Sequence, residues 1–258
     1  MADGLGLSAL AQYKVVTKRR DQQMQQFERQ PDVKRNLAAF NERAPKIDSV
    51  DALLKDRKTL TVVLSAFQLE DSLDQIGLLR KIISQSPDDD NSLANRLNDQ
   101  RYKRLAAALH GLVNGDKVLA DDASKQAIVN SYKTNEFEKY QGDIAGGMRE
   151  AMYFDRNIAS VTSTFQVIAS KPMLEVVRVA LGLPQEISLL PVAKQKEIID
   201  KRVDIKKFAD DGFRQRFIDR YLAKKDVEAS QANAATSGLI GLFNTGQQGS
   251  SGTISLLV

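Results

Sequence analysis

Apolar residues recur along this chain at intervals of three and four. Across residues 58–69, Leu60, Val63, Leu64 and Phe67 fall on one face of a helix, the spacing of a segment that buries one side. Residues 74–84 repeat the pattern with Ile76, Leu79, Ile82 and Ile83. Pro87 stops that helix, and Asp88-Asp89-Asp90-Asn91 offers N-cap candidates for the next. The stripe then continues through Leu93, Leu97, Tyr102, Leu105 and Leu109 toward Gly111, a natural helix end. Residues 124–140, 192–203 and 209–224 are further helical segments, and Pro172 suits the first turn of another. Strand-like alternation bounded by turns is hard to find. The pattern predicts an all-α fold.

The pattern also repeats. Phe27-Glu28-Arg29, Asp32-Val33, Phe40 and Ile47-Asp48-Ser49-Val50 are answered by Phe137-Glu138-Lys139, Asp143-Ile144, Phe154 and Ile158-Ala159-Ser160-Val161. The run from Leu60 to Leu69 is answered by the run from Leu174 to Leu183. The offset is roughly 110 at first and about 114 later, so two tandem copies of a multi-helix unit are expected. The predicted organisation is a flexible N-terminus at 1–11, a first repeat at 12–111, a connector at 112–125, a second repeat at 126–222 and a tail at 223–258. Residues 10–29 are taken as one long helix lying across the first copy. Residues 227–258 hold no Lys or Arg and are rich in Gly, Ser, Ala, Gln and Asn. Such a composition buries too little apolar surface to offset its ordering entropy, so the tail is expected to be flexible when alone. Its apolar clusters, Leu239, Ile240, Leu242, Phe243, Leu256, Leu257 and Val258, are the candidate partner-binding residues.

Composition narrows the function more than it names it. The chain has 258 residues, 42% hydrophobic and 27% charged, with no Trp, so its cores must be largely aliphatic. A net charge of +4 is mildly basic, too weak to imply nucleic acid. The most basic stretch, residues 194–225, interleaves Lys and Arg with Glu197, Asp200, Asp204 and Asp219, the mixed sign of a solvated helix face. The absence of cysteine removes thiolate nucleophiles, disulfides and Cys-based metal sites. No apolar run is long enough for a membrane span. The first residues lack a basic, then apolar, leader pattern, so the protein is expected to be cytoplasmic or exported without a cleaved signal peptide.

Catalytic signatures are missing. There is no phosphate-binding glycine loop, no HExxH and no GxSxG elbow. His110, the one histidine, is read as a hydrogen-bonding residue at a helix C-terminus rather than a general base. A calcium loop starting at Asp88 fails, because Leu93 and Asp99 stand where glycine and glutamate are required. Asp121-Asp122 and Asp210-Asp211 precede helices and are read as caps. No catalytic, cofactor-binding or metal residue is nominated.

Residues 47–56, the segment Leu64-Ser65-Ala66-Phe67-Gln68-Leu69 and residues 93–102 resemble the DUF1217 family, a domain of unknown function. The resemblance runs from about Tyr13 to Leu222 and rests on structural motifs, so it transfers no site residue. It implies an alphaproteobacterial, flagellum-associated protein, since family members are often encoded among flagellar genes. The expectation is therefore a non-enzymatic structural or assembly protein whose partners are flagellar proteins. The alternatives are an enzyme with a site in the cleft between repeats, or a nucleic-acid-binding helical module.

Overall fold

Small polar residues placed ahead of apolar runs set the helix starts. A computed structural model describes residues 7–97 and 99–245, with side chains described through residue 232 and at residue 234. Ser8 caps α1 (Ala9–Lys18), and α2 (Arg20–Glu28) follows a break at Arg19. Pro31 opens α3 (Pro31–Arg43). Ser49 caps α4 (Val50–Lys55) and Asp56 caps α5 (Arg57–Ala66) by accepting the Thr59 amide at 3.1 Å. α6 (Ile76–Ser84), α7 (Leu93–Arg96), α8 (Gln100–Leu109) and α9 (Asp122–Ile144) complete the front of the chain. α10 (Met148–Asn157), α11 (Thr164–Ala169), α12 (Lys171–Leu181), α13 (Val192–Asp200) and α14 (Asp211–Thr245) form the rear. No strand occurs among the described residues, as the pattern predicts.

The buried side chains divide into two cores. A front core gathers Phe40, Leu53, Leu60, Val63, Leu79, Ile83, Leu105 and Tyr132, with α5 packed along α3 and α9. A rear core gathers Phe154, Phe208, Phe217 and Tyr221, with α12 packed along α10 and α14. Phe208 meets Phe154 and Phe217 edge-on, at ring centroid distances of 5.2 and 4.9 Å. α9 serves both cores: Ile128, Val129 and Tyr132 enter the front one and Phe137 the rear one.

The order of elements recurs. The turn Ala44–Lys46, α4 and α5 begin at residues 44, 50 and 57; the turn Ile158–Ser160, α11 and α12 begin 114 residues later in each case. The halves then diverge. Between α6 and α9 stand α7 and α8, whereas only a 3₁₀ turn, Ile205–Ala209, separates α13 from α14.

Several expectations change at finer grain. The N-terminal arm is two helices rather than one, and α1 lies on α14 in the rear core rather than across the first copy. Ala9, Tyr13 and Val16 form an apolar stripe that needs cover, and the rear core supplies it. Asp226 then accepts the Ala9 and Leu10 amides at 2.6 and 3.2 Å, closing the start of α1. The front core extends past the predicted connector through Leu112, Leu119 and on to Tyr132, because α9 changes core midway. The stripe from Leu93 to Leu109 is broken into α7 and α8, capped by Ser92 and Asp99 rather than by the Asp88–Asp90 run. Finally, α14 continues helically from the predicted tail boundary at 223 to Thr245. That segment lacks proline and is rich in Ala and Gln, so local propensity supports the helix. Residues 1–6 and 246–258 lie outside the described residues.

Candidate functional site

A groove of about 1120 Å³ runs along the seam between the cores. Its floor and walls come from the end of α5, the start of α8, α9, α10 and α12. Six carboxylates and five cationic side chains line it, so its charge nearly cancels. Several are already satisfied by one another. Glu70 lies 3.6 Å from Lys139 and 3.7 Å from Arg149, and Arg178 holds Glu175 at 2.8 Å. Asp99 is half-buried, which alone would raise its pKa, but hydrogen bonds from the side chain and amide of Arg101 outweigh burial and lower it. The same pair holds the Arg101 guanidinium protonated against its own desolvation.

Behind the groove, the seam buries polar groups outright. Glu138 on α9 is fully buried and receives two hydrogen bonds from Arg156 on α10, at 2.9 and 3.0 Å. Burial pushes its pKa up, and Arg156 offsets that only in part. Asn135 donates to Ser65 at 3.1 Å and to Glu70 at 2.6 Å, tying α9 to the end of α5. Tyr13 donates to Asp155 at 3.0 Å, and its own pKa is raised by burial and by that carboxylate.

Gln68 stands at the corner where α5 turns into the groove. Its φ of 60° is left-handed, and it is the single non-glycine residue with positive φ among the described residues. The Leu69 amide donates back to the Leu64 carbonyl at 2.8 Å, and Arg101 donates to the Gln68 carbonyl. At the matching end of α12, Gly182 holds φ 68° and the Leu183 amide donates to Arg178 at 2.9 Å. The rear half uses glycine at this turn, as helix ends of this type favour; the front half retains a side chain.

His110 ends α8, with Nδ1 3.2 Å from the Ile83 carbonyl oxygen, a packing role at a helix terminus. Asp121 and Asp210 accept amides at the starts of α9 and α14. Of the nominated partner-binding residues, Leu239, Ile240, Leu242 and Phe243 lie on the distal part of α14. Leu256, Leu257 and Val258 lie outside the described residues. Gln68, Asn135 and Tyr153, which gather at the seam, were not nominated from sequence. The one available signal was Gln68 standing opposite Gly182 in the internal alignment.

Residues 66–213 match the model of DUF1217, described as a protein of unknown function. The chain belongs to this family. It is also similar to the crystal structure of a protein from Agrobacterium tumefaciens, a structural-genomics target, at 26% identity and a TM-score of 0.74. That likeness covers 84% of this chain and 93% of the other. Comparison with curated proteins yields no match. Among the described residues no helix is long and apolar enough to cross a membrane, and no group of three potential metal ligands converges.

Proposed function

We propose that this DUF1217 member is a non-enzymatic, flagellum-associated structural or assembly protein that binds other proteins through the distal part of α14. The observation that carries this reading is the exposure of α14 past the rear core. Among its described side chains the last buried one is Leu222, yet the helix runs to Thr245. Residues 227–232 and 234 are exposed. At 1.5 Å per residue the stretch beyond Leu222 is roughly 35 Å of helix. Leu239, Ile240, Leu242 and Phe243 follow at three- and four-residue spacing, the spacing by which a helix engages an apolar groove on a partner. The flagellar setting comes from the family resemblance. The near-cancelling charge of the groove speaks against a nucleic-acid channel, which needs one sign. The α13 face supports the same view, since Lys194 and Lys201 both bind Glu197 and pull its pKa down to about 2.

The test compares capture of flagellar components from cells by the full chain and by a chain ending at Ser230. That truncation keeps the Asp226 cap on α1 and the Lys225–Glu228 pair, so the cores remain. Flagellar proteins should be retained by the full chain and lost from the shortened one. An identical partner set for both would remove α14 as the binding element, and a set without flagellar proteins would remove the setting.

A further inference from the structure

Beside the main groove, a second cavity of about 270 Å³ opens between α5, α8, α9 and α10. Two guanidinium groups line it, Arg104 and Arg156, and no carboxylate does. Arg104 is exposed and forms no ion pair among the described residues. Arg156 spends Nε and Nη2 on Glu138, which leaves Nη1. Asn135 lines the same cavity at 1% exposure, and its Oδ1 has no hydrogen-bond partner. The orientation of that amide is set, because Nδ2 faces the Glu70 carboxylate. A buried acceptor left unpaired costs about 1–3 kcal/mol, and a donor from outside the chain, an ordered water or a ligand hydroxyl, would satisfy it. Gln68 and Tyr153 also line the cavity, and neither the side-chain amide of Gln68 nor the Tyr153 hydroxyl has a hydrogen-bond partner among the described residues. Gln68 keeps its side chain at a left-handed position, whereas the similar turn after α12 has Gly182, and strained residues of that kind gather at ligand sites.

We propose that this cavity binds a small hydroxycarboxylate. Its carboxylate would take Arg104, with the Gln68 amide and Tyr153 hydroxyl as further donors, and its hydroxyl would donate to Asn135 Oδ1. Arg104, which makes no direct ion pair, and the free Nη1 of Arg156 favour an anion here, against the neighbouring Asp99 and Glu138 carboxylates. The orphaned acceptor selects a hydroxylated anion over its deoxy analogue, because only the former supplies the missing donor. The proposal is independent of the role given to α14.

Titration calorimetry and melting of the full chain test it with lactate, malate and citrate, each against its deoxy counterpart, propionate, succinate or tricarballylate, at matched ionic strength. At least one hydroxy acid should bind and raise the melting temperature, and its deoxy partner should bind about tenfold more weakly, the loss of one hydrogen bond to a buried acceptor. Arg104→Gln should abolish that binding and leave the ligand-free melting temperature unchanged, since Arg104 is exposed and unpaired. No binding of any of the three acids up to about 10 mM overturns the proposal. Equal binding of hydroxy and deoxy acids overturns it as well, as does binding that survives Arg104→Gln.

Discussion

Exchanging the residues that close α5 and α12 tests the left-handed turn at the seam directly. Gln68 and Gly182 end their helices with φ of 60° and 68° and the same back-donated amide. A side chain in the left-handed region costs about 1–2 kcal/mol relative to the right-handed one. Glycine avoids that cost but loses about 0.4–1 kcal/mol through the greater freedom of its unfolded chain. Gln68→Gly should therefore stabilise the front core by roughly 0.5–1 kcal/mol. Gly182→Gln should destabilise the rear core by a similar amount. A Cβ at 182 would meet only the flexible end of Lys224, at 3.0 Å, so strain rather than collision sets its cost. Urea unfolding of each variant measures both changes, and thermal melting should move about 2–4 °C per kcal/mol for a chain near this size. Loss of stability in Gln68→Gly would refute the argument, because it would mean that the glutamine side chain itself holds the fold. A stabilised Gln68→Gly variant that binds hydroxycarboxylates more weakly would show strain kept for a ligand.

Other substitutions probe the two cores and the seam. Phe154→Ala removes a ring packed against both Phe208 and Phe217 and should cost about 3–5 kcal/mol in urea unfolding. Asp56 caps α5 and accepts Arg43 at 2.8 Å, so Asp56→Ala should cost about 1–2 kcal/mol, whereas Asp56→Asn should retain most of the cap. Burial opposes ionisation of Asp56, but the Thr59 amide and Arg43 lower its pKa below the ordinary aspartate value. Its share of stability is therefore present above that ordinary value and lost as pH falls through the folded one, and Asp56→Asn should flatten the acid limb of a stability–pH curve. Arg156→Met strips the buried Glu138 carboxyl of its partner, so that Glu138 must either stay ionised in the interior or take up a proton, and should cost about 3 kcal/mol, the lower end for broken buried pairs because Arg156 is itself a third exposed. Glu138→Leu with Arg156→Met should recover most of that loss, and additivity of the two would contradict a direct pair.

What the sequence made legible follows from how local each signal is. Apolar spacing at three and four residues is a local signal, so α5, α6, α8, α12 and α13 fall where Leu60, Leu79, Leu105, Val177 and Ile199 indicate. Caps are local too, and Asp121 and Asp210 behave as their positions suggest. The placement of α1 was not legible, because Asp226 lies more than two hundred residues away and nothing near Ala9 announces it. The extension of α14 was hidden for a different reason. Its Ala- and Gln-rich composition argues both for poor burial and for good helix propensity, and the two principles point to opposite outcomes. The seam was least legible of all: Gln68, Arg104, Asn135 and Tyr153 come from a turn and three helices and carry no shared spacing.

α9 explains why polarity concentrates at that seam. A helix that serves two cores must change its buried face along its length, and the change falls between Tyr132 and Phe137. Near the crossover, Asn135 and Glu138 are turned toward neighbouring helices without belonging to either apolar cluster. Leucine at those positions would fuse the two cores and dispense with the desolvation of Glu138 and Arg156. The chain instead keeps a buried carboxylate, an unpaired amide oxygen and a left-handed glutamine within one seam. Each of these reduces stability, and they adjoin the two cavities that open between the cores. A junction serving only to join the halves gains nothing from them. A junction that receives a polar ligand needs a group such as Asn135 Oδ1 left unpaired, which is the reason the proposed ligand site is put at the seam rather than within either core.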